Sequence, residues 1–352
     1  MFIPAIAGVP VLWWSEPGCG KSQIIEDAFR AAGRYCHTEV LSISDPCDIG
    51  GLLVKHEDRA IRLLPDWFLK LKEESNGCLF LDELTTCPQM NQAAALRLVR
   101  SRAINGESLP DTVVIMAAAN PPESAANGCY LSAPMANRFC HLEWKPGYEK
   151  WINGMVGGFQ PTGLPVLSED WKTKHLGAAR GAVSGFIRVQ PGLLHAMPDS
   201  EVARSKAWPS PRTWEYVSIV MAACADLKVS ADEYVAGLVG PGAALAFVEW
   251  QKNADLPDPE DVLKDPEKAK IDDKSDVVYA VCASVTAAAI LRRSRPRWNA
   301  CWTYLLRCHE HKNNYGDIVA SMLAEIFRLK DKDLPHFKGL EKLRDIVHLA
   351  KL

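Results

Sequence analysis

One stretch near the start of the chain constrains its fold more than any other. Residues 9–14, Val-Pro-Val-Leu-Trp-Trp, form a short apolar run, and Ser15-Glu-Pro-Gly-Cys-Gly-Lys-Ser22 follows directly, leading into a helical pattern over 22–32. The turn matches the phosphate-binding pattern G-x-x-x-x-G-K-[ST] at every fixed place but the first, where Ser15 stands for Gly. Gly18 and Gly20 let backbone N–H groups turn inward around phosphates, and the next helix aims its N-terminus at them. Lys21 suits the β- and γ-phosphates, and the Ser22 hydroxyl suits Mg2+. The residues expected to contact nucleotide are therefore Glu16, Pro17, Gly18, Cys19, Gly20, Lys21, Ser22 and Gln23.

A strand, a glycine turn and a helix in that order open a parallel sheet covered by helices, an α/β fold. Further apolar runs at 40–43, 78–82, 113–119 and 140–144 supply the other predicted strands, and 91–100 reads as a helix. The run 113–119 is apolar throughout, as a strand buried on both faces should be. Residues 51–76 break the alternation and read as an insertion, two apolar runs around a charged turn followed by a helical pattern over 65–74. Residues 101–111, with Asn105-Gly106 at the centre, read as a hairpin.

Beyond residue 147 the pattern turns helical. Helices are predicted from 171 onward, over 212–225 and over 231–251, and the Asp-, Lys- and Pro-rich stretch 255–275 reads as a linker or solvated loop. Final helices are predicted at 277–293, 296–310, 317–329 and 340–349. The expected organisation is an α/β nucleotide-binding part over 1–150, a linker and helical part over 151–254, and a linker and C-terminal helical module over 255–352.

Two strand ends carry the remaining chemistry. Leu79-Phe-Leu-Asp82-Glu83 is an apolar strand ending in two carboxylates. Asp82 could hold the Mg2+ shell, and Glu83 could orient or deprotonate an attacking water; alone, the pair could equally be an acidic turn. Asn120, between the apolar run and Pro121, could bond a γ-phosphate or the lytic water, or simply form the turn.

Composition narrows the partners. The formal net charge of -3 offers no polyanion-binding surface. Eleven cysteines without a C-x-x-C pair support neither a zinc site nor a disulfide framework. The apolar N-terminus lacks a basic flank and reads as a core strand rather than a signal peptide, and no stretch reads as a membrane span, so a soluble, cytoplasmic protein is expected.

Taken together, Glu16-Pro-Gly-Cys-Gly-Lys-Ser22, Leu81-Asp-Glu-Leu84, Ala119-Asn-Pro-Pro-Glu123, Ala136-Asn-Arg-Phe139 and Ser210-Pro-Arg-Thr213 resemble the AAA+ ATPases, and among them the MoxR-like, dynein-related branch. Ser44-Asp-Pro-Cys-Asp-Ile-Gly50 is similar to the segment that opens this branch's helix-2 insert, and the likeness covers about 9–251. It implies a P-loop NTPase sheet, the AAA+ core, followed by an α-helical lid. It also implies that Asn120 is sensor 1, that Arg138 is the arginine finger reaching a neighbouring subunit, and that Arg212 is sensor 2 on the lid above the nucleotide. With Lys21 and Glu83 these complete the expected catalytic set; ATP and Mg2+, the latter on Ser22 and Asp82, are the implied cofactors. The resemblance further implies a homo-oligomeric ring, a hexamer in the usual case, that remodels or activates a protein partner in chaperone fashion, one with a von Willebrand factor A domain among the candidates. The insert and the hairpin would then face the central pore.

Two features depart from the family. Ser15 replaces the first Gly, and few residues precede the first strand where relatives have a helix and loop around the adenine. Two other readings stand beside the ATPase. A nucleic-acid motor would need more basic residues than Arg100 and Arg102 near the hairpin, and a binding-only assembly switch would have no use for Glu83.

Overall fold

Five strands pair side by side in a computed structural model, which describes residues 1–124, 128–311 and 315–328. The strands are β1 (Val11–Trp14), β2 (Cys36–Val40), β3 (Leu52–His56), β4 (Arg59–Leu63), β5 (Cys78–Asp82), β6 (Ala103–Ile104), β7 (Glu107–Ser108), β8 (Val114–Ala119) and β9 (Cys140–Glu143). The main sheet runs β2-β5-β8-β1-β9 with every pair parallel. All of β8 is buried, and so is β5 up to its final Asp82, as strands covered on both faces must be. β1 lies between β8 and β9, neither its neighbour in sequence, so the chain must cross β8 and β5 to reach β2. Such a reversal leaves a crevice at the carboxyl ends of the strands, and the glycine-rich turn leaves β1 there. The chain is thus an α/β protein with a parallel core sheet, followed by helices.

The two-stranded additions sit where the sequence pattern breaks. β3 and β4 form an antiparallel hairpin, then the helix Asp66–Glu74 follows. β6 and β7 pair around Asn105 and Gly106, whose φ values of 53° and 84° are those a two-residue type I′ turn demands.

Three expectations need correction. The second strand is Cys36–Val40, not 40–43: as an edge strand it is only half-buried, so polar His37, Thr38 and Glu39 are admitted and no apolar run results. The stretch 231–251 is two helices, Asp232–Val239 and Pro241–Ala254. Gly240 separates them at φ 79°, where a Cβ would also meet the Ala207 carbonyl at 2.9 Å, and Pro241 cannot continue the first helix. Finally, the N-terminal apolar run is not all strand, because Ile3–Ile6 makes a helical turn with Pro4 in its first positions.

The chain divides into two units, each drawn from several stretches of sequence. One comprises Met1–Leu167, Met197–Tyr216 and Glu233–Gly240, and holds the whole sheet. Its core is built from Leu12, Leu79, Leu81, Ile115, Ala117 and Phe139 with the side chains packed around them.

The other unit comprises Ser168–Ala196, Val217–Asp232 and Pro241–Leu352 and is helical where described. Within it, Gly177, Gly181 and Gly185 recur every fourth residue along Trp171–Val189 and face Ser275–Leu291. A Cβ on Gly181 would lie 2.6 Å from the Ala280 carbonyl, so only glycine permits this approach. The stretch 255–275 is not a bare linker. It contains the helix Pro259–Lys264, N-capped by Asp258, and Glu260 forms a two-pronged pair with Arg297 at 2.5 and 2.7 Å. The helix predicted over 340–349 lies outside the described residues. No described helix is long and apolar enough to cross a membrane, and all eleven cysteines are free.

Candidate functional site

The glycine-rich turn is tied to the sheet at its first residue. Ser15 N–H donates to the Ala119 carbonyl at 3.2 Å, continuing the pairing of β1 with β8. Gly18 and Gly20 then take φ 76° and 77° with open space where a Cβ would stand, so backbone conformation alone demands glycine here. Gly20 has no side chain to cap the helix Lys21–Ala31, which leaves the first-turn N–H groups available to an anion. Ser15 does not have positive φ, which explains why the missing first glycine is tolerated.

Lys21 is buried beneath this turn. Its ammonium donates to the Ser15 carbonyl at 3.0 Å, Ser15 Oγ at 2.8 Å, the Glu16 carbonyl at 3.3 Å and Asn120 Oδ1 at 2.7 Å. The serine that departs from the motif therefore supplies an extra acceptor for the lysine. Burial pulls the Lys21 pKa down from its ordinary value, with the nearby Asp82 carboxylate opposing it.

Asp82, at the end of β5, accepts from Ser22 Oγ at 2.5 Å through one oxygen and from Glu83 N–H at 2.8 Å through the other. Burial raises its pKa, and those two bonds resist the rise. Glu83 follows at φ 58°, a left-handed conformation that costs a non-glycine residue on the order of 1–3 kcal/mol. Its neighbours hold it there: Leu84 N–H donates to the Ala118 carbonyl at 3.0 Å, and Ser42 Oγ donates to Glu83 Oε2. Thr85 Oγ1 bonds the Asn120 carbonyl at 2.8 Å, joining the loops that leave β5 and β8.

Ser22, Lys21, Asp82, Glu83 and Asn120 are thus brought together, as the sequence predicts. Glu16, Pro17 and Gly18 are exposed on the turn, and Cys19 is half-buried. Gln23 points along its own helix to Asp27 Oδ2 at 2.8 Å. Three contributors escaped the sequence reading. Ser42 holds Glu83, Thr85 holds Asn120, and Trp144 supports the turn through Nε1–H, which donates to the Cys19 carbonyl at 3.1 Å while the indole stacks on Trp13 with centroids 5.4 Å apart. No motif marks them; only Trp144, one residue past β9, lies at a strand end.

Arg138 and Arg212 form a second group. Arg138 Nη1 donates to the Pro134 carbonyl, and Arg212 Nη1 donates to Asn137 Oδ1 at 3.1 Å. Asn137 is buried and also accepts from Ser210 Oγ at 2.8 Å, so it links the Ala136-Asn-Arg-Phe139 and Ser210-Pro-Arg-Thr213 segments. The Arg138 pKa is lowered by burial and then by the positive charges of Arg212 and Arg100. Among the described residues no ion pair neutralises these three guanidiniums, and no hydrogen bond joins them to the Lys21 group. Arg212, which the resemblance makes sensor 2, is placed near Arg138 through Asn137.

No protein-family model matches the chain, and no curated protein sequence is significantly similar to it. Among solved structures it is similar to a "putative ATPase" from Cytophaga hutchinsonii ATCC 33406, at 16% identity and a TM-score of 0.42, over 68% of this chain and 79% of that one. A likeness this distant assigns neither fold nor activity; the fold is read from the chain's own sheet.

Proposed function

We propose that the chain is a Mg2+-dependent ATPase of MoxR-like AAA+ type that works as a ring and remodels or activates a protein partner. The observation that carries the hydrolytic part is the meeting of Lys21, Ser22, Asp82, Glu83 and Asn120 at the carboxyl ends of β1, β5 and β8. Free first-turn N–H groups and a buried ammonium suit a polyphosphate. The ammonium is already aimed by four oxygen contacts, so little reorganisation is needed when phosphate oxygens replace some of them. Glu83 is oriented by Ser42 and held in a strained backbone, as a base that must meet one water in one direction needs to be. The proton of the attacking water would pass to this carboxylate.

The residues also fit Mg2+. That ion takes hard oxygen ligands, usually one or two from protein beside phosphate and water, and the adjacent Ser22 hydroxyl and Asp82 carboxylate offer two. When bound it would neutralise charge on the β- and γ-phosphates.

The assembly part rests on the arginines. Arg138 and Arg212 share one locality, have no acidic partner among the described residues and are unconnected to the Lys21 group, which favours their serving a γ-phosphate on a second copy. A head-to-tail interface of that kind closes into a ring or extends into a filament. The hexameric count, the chaperone role and a von Willebrand factor A partner follow from the sequence resemblance.

The test is calorimetric titration of ATP into wild type and Lys21→Ala, beside a phosphate-release assay. Wild type should bind and hydrolyse ATP, and the variant should bind none within the measurable range. Undiminished binding by the variant would remove the phosphate-binding assignment.

A further inference from the structure

Helix Tyr148–Gly157 stands apart from the rest of its unit. It has ten residues and one buried position, Gly154. Isolated helices shorter than about 12–15 residues are marginal in water, so burial of an amphipathic face usually supplies the missing stability. This helix has such a face. Tyr148, Trp151, Ile152, Met155 and Val156 follow the i, i+3, i+4, i+7, i+8 spacing, within an arc of roughly 140° at 100° per residue. Phe159 extends it: the chain turns at Gly158, φ 86°, and the Phe159 ring folds back onto Gly154, where a Cβ would lie 2.4 Å from the ring. Glycine at 154 thus seats an aromatic ring beside the face. Yet all six apolar side chains are between 38% and 86% exposed.

We infer that this apolar face is a contact surface for a second copy of the chain. Six large apolar residues, each more than a third exposed and contiguous on one helix face and the turn after it, make a patch of the kind that marks interaction sites on soluble proteins. Their types, three aromatics and a methionine among them, are those enriched at interface centres. The only charged residues on the helix are Glu149 and Lys150, which cancel, so it lacks the basic face that holds interfacial helices on anionic membranes. The choice of a second copy also rests on the in-trans arginine reading above. Only three residues separate Trp144 from Tyr148, so the face begins four positions after a side chain that is bonded to the turn that a neighbour's Arg138 must approach.

Sedimentation velocity on the full chain, with and without ATP and Mg2+, tests this with wild type and the double variant Trp151→Glu, Met155→Lys. Wild type should self-associate, and the double variant should need at least tenfold higher concentration to do so while binding ATP like wild type. Hydrogen exchange at 148–156 in wild type should slow on assembly, a readout that needs no substitution. Self-association unchanged in the variant, or exchange unslowed in the assembled protein, overturns the inference. So does a wild type that binds ATP yet stays monomeric, which leaves the nucleotide site standing. Wild type that instead co-sediments with phosphatidylcholine–phosphatidylglycerol vesicles through this face, without self-association, overturns it in favour of a membrane surface. If wild type binds no ATP, the ATPase reading fails, and the nucleotide-free sedimentation still decides the face.

Discussion

Around Lys21, the charged side chains are answered from within the chain. The ammonium has carbonyl, hydroxyl and amide acceptors, Asp82 takes two donors, and Glu83 takes the Ser42 hydroxyl. Around Arg138 the surroundings are reversed. Arg100, Arg138 and Arg212 bring like charges together, and burial adds to the cost of keeping Arg138 ionised. The chain supplies only uncharged acceptors there, the Pro134 carbonyl and the Asn137 side chain. A guanidinium cluster without an acid stores repulsion that an arriving anion would relieve. The contrast teaches that the charged side chains around Lys21 are balanced from within the chain and the arginines are not, which under the proposed function leaves the arginines for charge that comes from elsewhere.

The sharpest way to break that contrast is Arg138→Ala. Removing an arginine that stabilises a phosphoryl transition state should lower turnover by about a thousandfold, at the lower end of what such residues contribute. Binding of ATP to the Lys21 site should be unchanged. Mixing Arg138→Ala with Lys21→Ala, each inactive alone, should restore partial activity at mixed interfaces in a phosphate-release assay. If no ratio restores turnover, the arginine does not act across a subunit boundary.

Glu83→Gln probes the other side and should be the next largest effect. Loss of a catalytic base typically costs about a hundredfold or more, so hydrolysis should fall by at least that factor while ATP affinity is retained. The variant keeps the left-handed backbone and an acceptor for Ser42, so a loss of binding instead would mean that Glu83 shapes the pocket and is not the base.

How far the two regions were legible in the sequence differs for the same physical reason. The Lys21 group is local to strand ends, and its residue types are those that phosphate and metal chemistry would call for, so Lys21, Ser22, Asp82, Glu83 and Asn120 can be read at fixed places beside apolar runs. The buried strands β5 and β8 are equally readable because both faces demand apolar side chains. The edge strand β2 is not, since half-burial lets Cys, His, Thr and Glu into it. The break at Gly240 depends on a close approach to Ala207 from more than thirty positions away, which no local pattern reveals. Arg212 is the clearest case. Its motif is visible, but its position beside Arg138 is set by buried Asn137, which accepts from both Arg212 and Ser210. The strain at Glu83 likewise arises from tertiary bonds and leaves no mark on residue type.

The smallest expected effect tests whether the Lys21 region is as self-sufficient as it looks. Trp144→Phe keeps an aromatic ring against Trp13 but removes the indole N–H bonded to the Cys19 carbonyl. One hydrogen bond of this kind contributes about 0.5–1.5 kcal/mol, equivalent to roughly 2- to 12-fold in an equilibrium constant. If the bond holds the turn in its phosphate-ready shape, the loss should appear as a rise of about fivefold in the ATP dissociation constant by calorimetry. kcat should stay level, because Glu83, Asn120 and the arginines are untouched, and a merely structural role would lower the melting temperature without separating KM from kcat. Unchanged affinity would mean that Ser15, the Ala119 carbonyl and the two glycines fix the turn unaided. The phosphate site would then be built by β1, β5 and β8 alone, with β9 contributing only the edge of the sheet.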